Sequence, residues 1–302
     1  MNSVGAYAAK TDTGRRRRRN EDAFVLAPPL FAVADGMGGA QAGEIASKLA
    51  AAALEDTDPG RLTGPEKVAS LIQEANRRVH ERSSVDPATS GMGTTMTVAL
   101  VESDGVVIGH VGDSRAYLVR NHEIQQLTED HSLVNELLKS GKLSPEEAET
   151  HPQRSVITRA VGTDPDVDVD SFVVDTQDGD LFLICSDGLT DMVDDRHILE
   201  TVDKYGENLE RLTKQLVTAA NRSGGEDNIT VVAFSIGRAT QHEELGDTAT
   251  MEAVSLPLDD TTENVPVRAV PVGPSPGRVR VVFAGLIVMA LAVSLLLWGL
   301  LH

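Results

Sequence analysis

Short apolar runs rich in Val, Ile and Phe recur along the first 237 residues, and their lengths are those of strands. They lie at 31–34, 95–101, 106–111, 116–119, 172–174, 181–185 and 229–234. Between them, apolar positions recur three and four residues apart, which predicts helices with one buried face. VASLIQEANRRVHE places Val68, Leu71, Ile72, Ala75 and Val79 on such a face, and NLERLTKQLVTAAN does the same with Leu209, Leu212, Leu216 and Ala219. AGEIASKLA, following a glycine-rich turn at Gly38 and Gly39, opens a further helix. VVIGHVGDSRAYLVR reads as an antiparallel hairpin, which argues against a parallel nucleotide-binding sheet. Runs of strands interrupted by paired helices predict an α+β domain of antiparallel layers over residues 1–237.

The pattern then changes twice. Residues 238–277 are rich in Thr, Asp, Glu and Pro with few large apolar side chains, the composition of a disordered acidic linker. Residues 278–302 open on Arg278 and Arg280, and within 281–301 Ser294 is the only polar side chain. At ~1.5 Å per residue that run spans about 30 Å, the thickness of a bilayer core, which predicts one transmembrane helix. The flanking arginines place residues 1–237 on the cytoplasmic side of the cell (inner) membrane.

The net charge of −19 argues against a nucleic-acid partner, which calls for a basic surface. The one cysteine, Cys185, permits no internal disulfide and sits in the run LFLIC, where a small core hydrophobe is expected.

Candidate chemistry collects where strands end. RRRRRNEDAF, VADGMGG, VGDSRAY, CSDGLTDM and GEDNITVV each set an Asp against a strand, and in VADGMGG and CSDGLTDM a Gly follows it. One such Asp is ordinarily a turn or cap residue. Five brought together would repel unless a cation compensates, and oxygen donors without paired Cys or His favour magnesium or manganese over zinc. Glycine beside the Asp is expected to let a backbone carbonyl approach the ion. Two ions about 3.5–4 Å apart activate a water and clamp an in-line displacement at phosphorus.

Taken in order, GRRRRRNED, ADGMGG, GMGTT, VGDSR, SDGLTD and EDNITV resemble the motif series of the bacterial type 2C, metal-dependent protein serine/threonine phosphatases. The resemblance spans about residues 1–237. It implies a four-layer α/β/β/α sandwich, two antiparallel sheets flanked by helix pairs. It implies two Mn²⁺ or Mg²⁺ ions held by Asp22, Asp35, the Gly36 carbonyl, Asp187 and Asp227, with Asp35 bridging and Asp22 acting largely through water. Asp113 and Asp191 would hold a third, weaker ion. Arg17 corresponds to the phosphate-binding arginine, a task suited to a planar, always charged fork. Asn228 is a supporting residue, and Thr94 and Thr95 order the core nearby. Met37 stands where some relatives carry a proton-donating histidine, which leaves the leaving alkoxide to be protonated by water held at the metals. Residues 127–162 correspond to a mobile flap, in which His131 and His151 are expected to be packing or surface residues.

The implied partners are cytoplasmic proteins phosphorylated on Ser or Thr, a Ser/Thr kinase that the phosphatase opposes, and the membrane. Thr248, Thr250, Thr261 and Thr262 of the linker are candidate kinase targets. Two other readings stand beside this one: a phosphoprotein-binding adaptor without turnover, and a phosphatase specialised for an anti-sigma antagonist. The arginine run has a second reading of its own, as a patch for nucleic acid or anionic lipid. DPDVDVD resembles the opening of a calcium loop but has Val169 and Asp175 where Gly and Glu are needed, and an edge strand is expected instead. GMGG lacks the Lys-Ser/Thr of a phosphate-binding loop, which excludes nucleotide hydrolysis by that route.

Overall fold

A computed structural model describes residues 3–38, 42–149 and 151–237, all within one of the two units of the chain, residues 1–243. The linker and the apolar run 281–301 lie outside the described residues, as does Gly39. Among the described residues no helix is long and apolar enough to cross a membrane.

The chain opens with strands β1 (Val4–Asp12), β2 (Asp22–Ala27) and β3 (Leu30–Met37), then helices α1 (Ala42–Asp56) and α2 (Gly64–Val85). Strands β4 (Gly93–Thr94), β5 (Met96–Glu102), β6 (Gly105–Val111), β7 (Arg115–Arg120) and β8 (Glu123–Gln126) follow. Short helices α3 (Leu133–Lys139) and α4 (Pro145–Glu149) lead to β9 (Asp170–Val174) and β10 (Leu181–Cys185). The described part ends with α5 (Asp187–Thr190), α6 (Asp195–Tyr205), α7 (Leu209–Ser223) and β11 (Ile229–Ile236).

Two antiparallel sheets result, one in the order β1-β11-β10-β7-β8 and one in the order β2-β3-β5-β6-β9. Three apolar clusters set the layers. Val68, Leu71, Ile72 and Val79 of α2 pack with the alanines of α1 on Val98, Leu100 and Val107 of the second sheet. Ile198, Leu212 and Leu216 of α6 and α7 pack on Leu183, Val231 and Ala233 of the first. Between the sheets, Phe31, Ile108, Phe182, Ile184, Val232 and Phe234 interdigitate. Phe31 stacks on Phe234 at 4.3 Å and Phe234 on Phe182 at 5.1 Å. The order is helices, sheet, sheet, helices, and it follows from strands apolar on both faces: every residue of β6 and β10 is buried.

The anticipated hairpin at 106–119 does not form. β6 pairs with β5 and β9 in one sheet, whereas β7 pairs with β10 and β8 in the other. A hairpin would leave both strands in one sheet, but each has two apolar faces to cover, and the chain crosses between layers at Gly112, Asp113 and Ser114. Asp113 therefore stands where the two sheets meet. The Asp–Val alternation at 164–169 is a loop, and the edge strand begins only at Asp170. Cys185 is fully buried, and burial pushes its thiol up to about 12, as suits a core residue.

Candidate metal centre

The site is built where the two sheets end side by side. β2 and β3 pair with Asp22 directly opposite Asp35, so their side chains share one face of the ladder. Asp187 follows β10 and opens α5, and Asp227 precedes β11. Ser186 Oγ donates to Asp22 Oδ2 at 2.9 Å and to the Asn228 carbonyl, and Thr230 Oγ1 donates to the same Asp22 oxygen at 2.6 Å. Two hydroxyls thus fasten Asp22, from the second sheet, to the first. Nothing in the motif series singled them out: an isolated Ser or Thr beside an apolar strand carries no signal until the fold sets it against a carboxylate.

Asp35 is fixed through its backbone. Its N–H donates to Thr95 Oγ1 at 3.0 Å, and its carbonyl accepts from Thr95 N and Thr94 Oγ1, both at 2.8 Å. Thr95 Oγ1 in turn shares a hydrogen bond with Ser114 Oγ at 2.7 Å, tying Asp35 to the crossover that carries Asp113. The expected ordering role of Thr94 and Thr95 thus takes the form of a clamp on one residue.

Electrostatically the site is overloaded. The Asp35 carboxyl feels the charges of Asp22, Asp187, Asp113 and Asp227. Burial first, and then the charges of Asp22 and Asp187, hold Asp35 well above the usual carboxylate range. Burial, then Asp113 and Asp227, does the same to Asp187. Asp22 is raised to about 6 by burial, against the opposing effect of its Thr230 and Ser186 bonds. Asp113 also rises to about 6, through burial and the neighbouring Asp130. Asp191, at the rim, is raised by burial more than Arg154, 3.6 Å away, can offset.

A cation would answer this arrangement. Among the described residues, three buried side-chain oxygens have no hydrogen-bond partner, and two are Asp22 Oδ1 and Asp187 Oδ1. A buried carboxylate oxygen left without a donor costs roughly 1–3 kcal/mol, more when charged, so its retention calls for a ligand. The donors are oxygen alone, which suits a hard divalent ion. As they stand, no group of three or more His, Cys, Asp or Glu among the described residues closes into a cage.

The glycines of the two Asp-Gly pairs also permit close packing of the backbone. A Cβ on Gly36 would meet the Gly43 carbonyl of α1 at 2.1 Å, and one on Gly188 would meet the Asn228 carbonyl at 1.9 Å. Each lets a neighbouring segment press against the aspartate's own backbone, whatever else the Gly36 carbonyl does.

Arg17 and Asn228 lie in the same corner. Arg17 Nη2 donates to Asp227 Oδ2 at 2.6 Å, and its guanidinium is half exposed. Burial works against its charge, but Asp227 beside it and Asp35 beyond more than offset that and raise its pKa. Asn228 is wholly structural in its contacts: Oδ1 accepts from Glu21 N, and Nδ2 donates to the carbonyls of Thr13 and Arg19. It pins both ends of the arginine loop to the sheet.

A cleft of about 610 Å³ opens beside the carboxylates, lined by Asp113, Asp187 and Asp191 on one side and by Ser132, Asn135 and Arg154 of the segment 127–162 on the other. His131 does not enter it. It is buried, accepts from Gly112 N at Nδ1 (3.0 Å) and faces Asp170 through Nε2 at 3.1 Å. His151 accepts from the Gln153 backbone.

The chain is similar to proteins of one family over most of its length. The family model described as protein phosphatase 2C matches residues 15–221. The serine/threonine phosphatase stp of Listeria monocytogenes is 43% identical over 234 residues, 74% of this chain and 92% of that protein. The crystal structure of the Mycobacterium tuberculosis serine/threonine phosphatase PstP/Ppp superposes with a TM-score of 0.73 at 38% identity, covering 78% of this chain and all of that one, 100%. A solved catalytic domain of the serine/threonine phosphatase PstP in complex with two manganese ions gives 0.70 at 36% identity, over 78% of this chain and 100% of that chain. The chain belongs to the protein phosphatase 2C family.

Proposed function

We propose that this chain is a metal-dependent protein serine/threonine phosphatase. The observation that carries the reading is the pair of orphaned, buried oxygens of Asp22 and Asp187 flanking Asp35. Asp22, Asp35, the Gly36 carbonyl, Asp187 and Asp227 would hold two Mn²⁺ or Mg²⁺ ions, and Asp113 and Asp191 a third. Bound there, the ions supply Lewis-acid activation of a water and neutralise charge on the phosphate. The protein's own residues do the positioning. Arg17, with one donor on Asp227 and the rest of its fork toward solvent, receives the phosphate oxygens. Asn228 holds the loop that carries Arg17, and the Thr94–Thr95 clamp sets the depth of Asp35. The segment 127–162 forms the far wall of the cleft, where residues flanking the phosphorylated side chain lie.

The same reading extends to the whole chain. Residues 1–237 are the catalytic domain, 238–277 a linker and 278–302 a membrane anchor with its helix at 281–301. The apolar composition of that run and the arginines before it support a single-pass protein of the inner membrane with the catalytic domain in the cytoplasm. Its substrates are proteins phosphorylated by a Ser/Thr kinase, for which the linker threonines Thr248, Thr250, Thr261 and Thr262 would also be targets.

With Mn²⁺ the full chain is expected to release phosphate from phosphothreonine peptides, and Asp35→Ala or Asp187→Ala to lower that rate more than about tenfold, as removal of a charge-stabilising group at a reacting centre does. Metal binding without turnover of any phosphopeptide would favour the adaptor reading.

A further inference from the structure

One phosphate needs one guanidinium fork, and this chain sets five arginines in a row beside its carboxylates. The loop that carries them is rigidly held. Gly14 N donates to Asp12 Oδ1 at 2.9 Å, and Arg15 N and Arg16 N both donate to the Gly225 carbonyl, at 2.7 and 3.2 Å. Asn20 Nδ2 reaches Thr11 Oγ1 at 2.7 Å, and Asn228 Nδ2 takes the Arg19 carbonyl at 2.8 Å. Gly14, at φ +78, lies so close to Asp227 that a Cβ would stand 2.1 Å from the Asp227 carbonyl. The backbone is therefore fixed against the metal centre while all five side chains are exposed.

Their partners differ. Arg17 is tied to Asp227, and Arg19 lies 3.9 Å from Glu44. Among the described residues Arg15, Arg16 and Arg18 have no acidic partner, and the last two flank Arg17 in the sequence. Arg18 joins Arg17, Arg19, Glu21 and Asn228 around a recess of about 210 Å³. Of its lining, Arg17 is bonded to Asp227 and Asn228 follows Asp227 in the chain. On a chain of net charge −19, guanidinia without an acidic partner beside Arg17 make a local attraction for anions that the rest of the surface opposes.

Resting on the phosphatase reading above, we propose that Arg16 and Arg18 form a specificity rim that selects phosphoserine and phosphothreonine segments with carboxylates beside the phosphorylated residue. The phosphate enters toward Arg17, and the flanking Asp or Glu side chains fall on the two arginines next to it in the sequence. A peptide is favoured over a bilayer as the occupant because the recess holds only about 210 Å³ and its Arg17 is bonded directly to Asp227. A membrane pressed on the arginines would cover the entrance to the site, and the chain's net charge would repel an anionic surface.

The test compares two phosphothreonine peptides on the full chain with Mn²⁺, one flanked by Asp and Glu and one by Asn and Gln. Each exposed charge pair contributes modestly, so kcat/KM is expected to favour the acidic peptide about fivefold, mainly through KM. Because such pairs are screened, the preference should fall toward unity between ~50 and ~500 mM salt. The double variant Arg16→Gln, Arg18→Gln should reduce the ratio to about one at either salt. Equal kcat/KM for the two peptides in the unaltered chain, a ratio unchanged in the double variant, or an equal loss on both peptides would overturn the proposal. Release of the double variant from phosphatidylserine vesicles with its peptide ratio intact would overturn it in favour of a membrane contact. Hydrolysis of neither peptide would instead sink the phosphatase reading on which the rim depends.

Discussion

Asp22 receives two hydrogen bonds on one carboxylate oxygen, from Ser186 and Thr230, and none on the other, which is buried. Its charged form is therefore held in place by half a site. Without a cation this is a stability cost, visible in the rise of its pKa to about 6. Asp22→Asn keeps an oxygen for the two hydroxyls and removes the charge. In the presence of a chelator at pH 7.5 the variant is expected to melt roughly 2–4 °C higher than the unaltered chain, the shift that ~1 kcal/mol gives a domain of this size. It should also be stabilised less by Mn²⁺. A lower melting temperature in the chelator would mean that the Asp22 charge is already satisfied within the protein.

A second residue-scale expectation concerns His110 on β6. It is fully buried between Thr97 Oγ1 and the Glu129 carbonyl, and burial, then the neighbouring His131, lowers its pKa to about 4. Below the ordinary histidine value of ~6.5 the unfolded chain takes up a proton that the folded chain refuses, so stability falls as pH drops from about 6.5 to 4. Above 6.5 this contribution is constant. Denaturant titrations across that window should show a smaller loss for His110→Phe than for the unaltered chain, and parallel pH profiles would contradict the assignment.

At the scale of elements, the site depends on close approach. The residues before β11 close on α5 because Gly188 has no side chain, and the start of α1 closes on Gly36 of β3 for the same reason. Gly188→Ala must move the backbone of Asn228, which carries the arginine loop, and overpacking of this kind costs about 1–3 kcal/mol. The variant is expected to lose stability in denaturant titrations and to lose phosphatase rate beyond what its unfolded fraction explains. Retention of full activity would place the Asn228 support outside the mechanism.

Elements were legible in unequal measure. Strands such as β10 and β11 announce themselves because both faces are apolar, and α2 and α7 because one stripe is. β1 escapes notice: VGAYAAKTD is alanine-rich, and only Ala8 is buried along it. So does α6, where Ile198 and Val202 alone are buried. Which sheet a strand joins is not written in its own residues, and the crossover at Gly112–Ser114 looks like a hairpin turn for that reason. The aspartates of the site could be found because Asp after an apolar run recurs, and the motif order supplied the rest. The hydroxyls of Ser186, Thr230 and Ser114 could not, since their meaning lies in what the opposite sheet brings to them.

For the whole molecule, two sheets joined by a common core end in a corner where six aspartates collect, and the fold is bent to the service of a charge it does not itself supply. Asp22 and Asp35 come from one sheet, Asp187 and Asp227 flank strands of the other, Asp113 lies on the crossover between them and Asp191 follows α5. A cation in that corner would bind the folded chain and not the unfolded one, so it would stabilise the two sheets against each other. The most direct measurement is thermal or denaturant unfolding of the full chain, metal-free and then with rising Mn²⁺, beside Asp35→Asn. Stabilisation by about 2.7 kcal/mol at a hundred times the dissociation constant is expected for each independent site, and its loss in Asp35→Asn. An unfolding curve indifferent to Mn²⁺, or a shift that Asp35→Asn retains in full, would contradict the account.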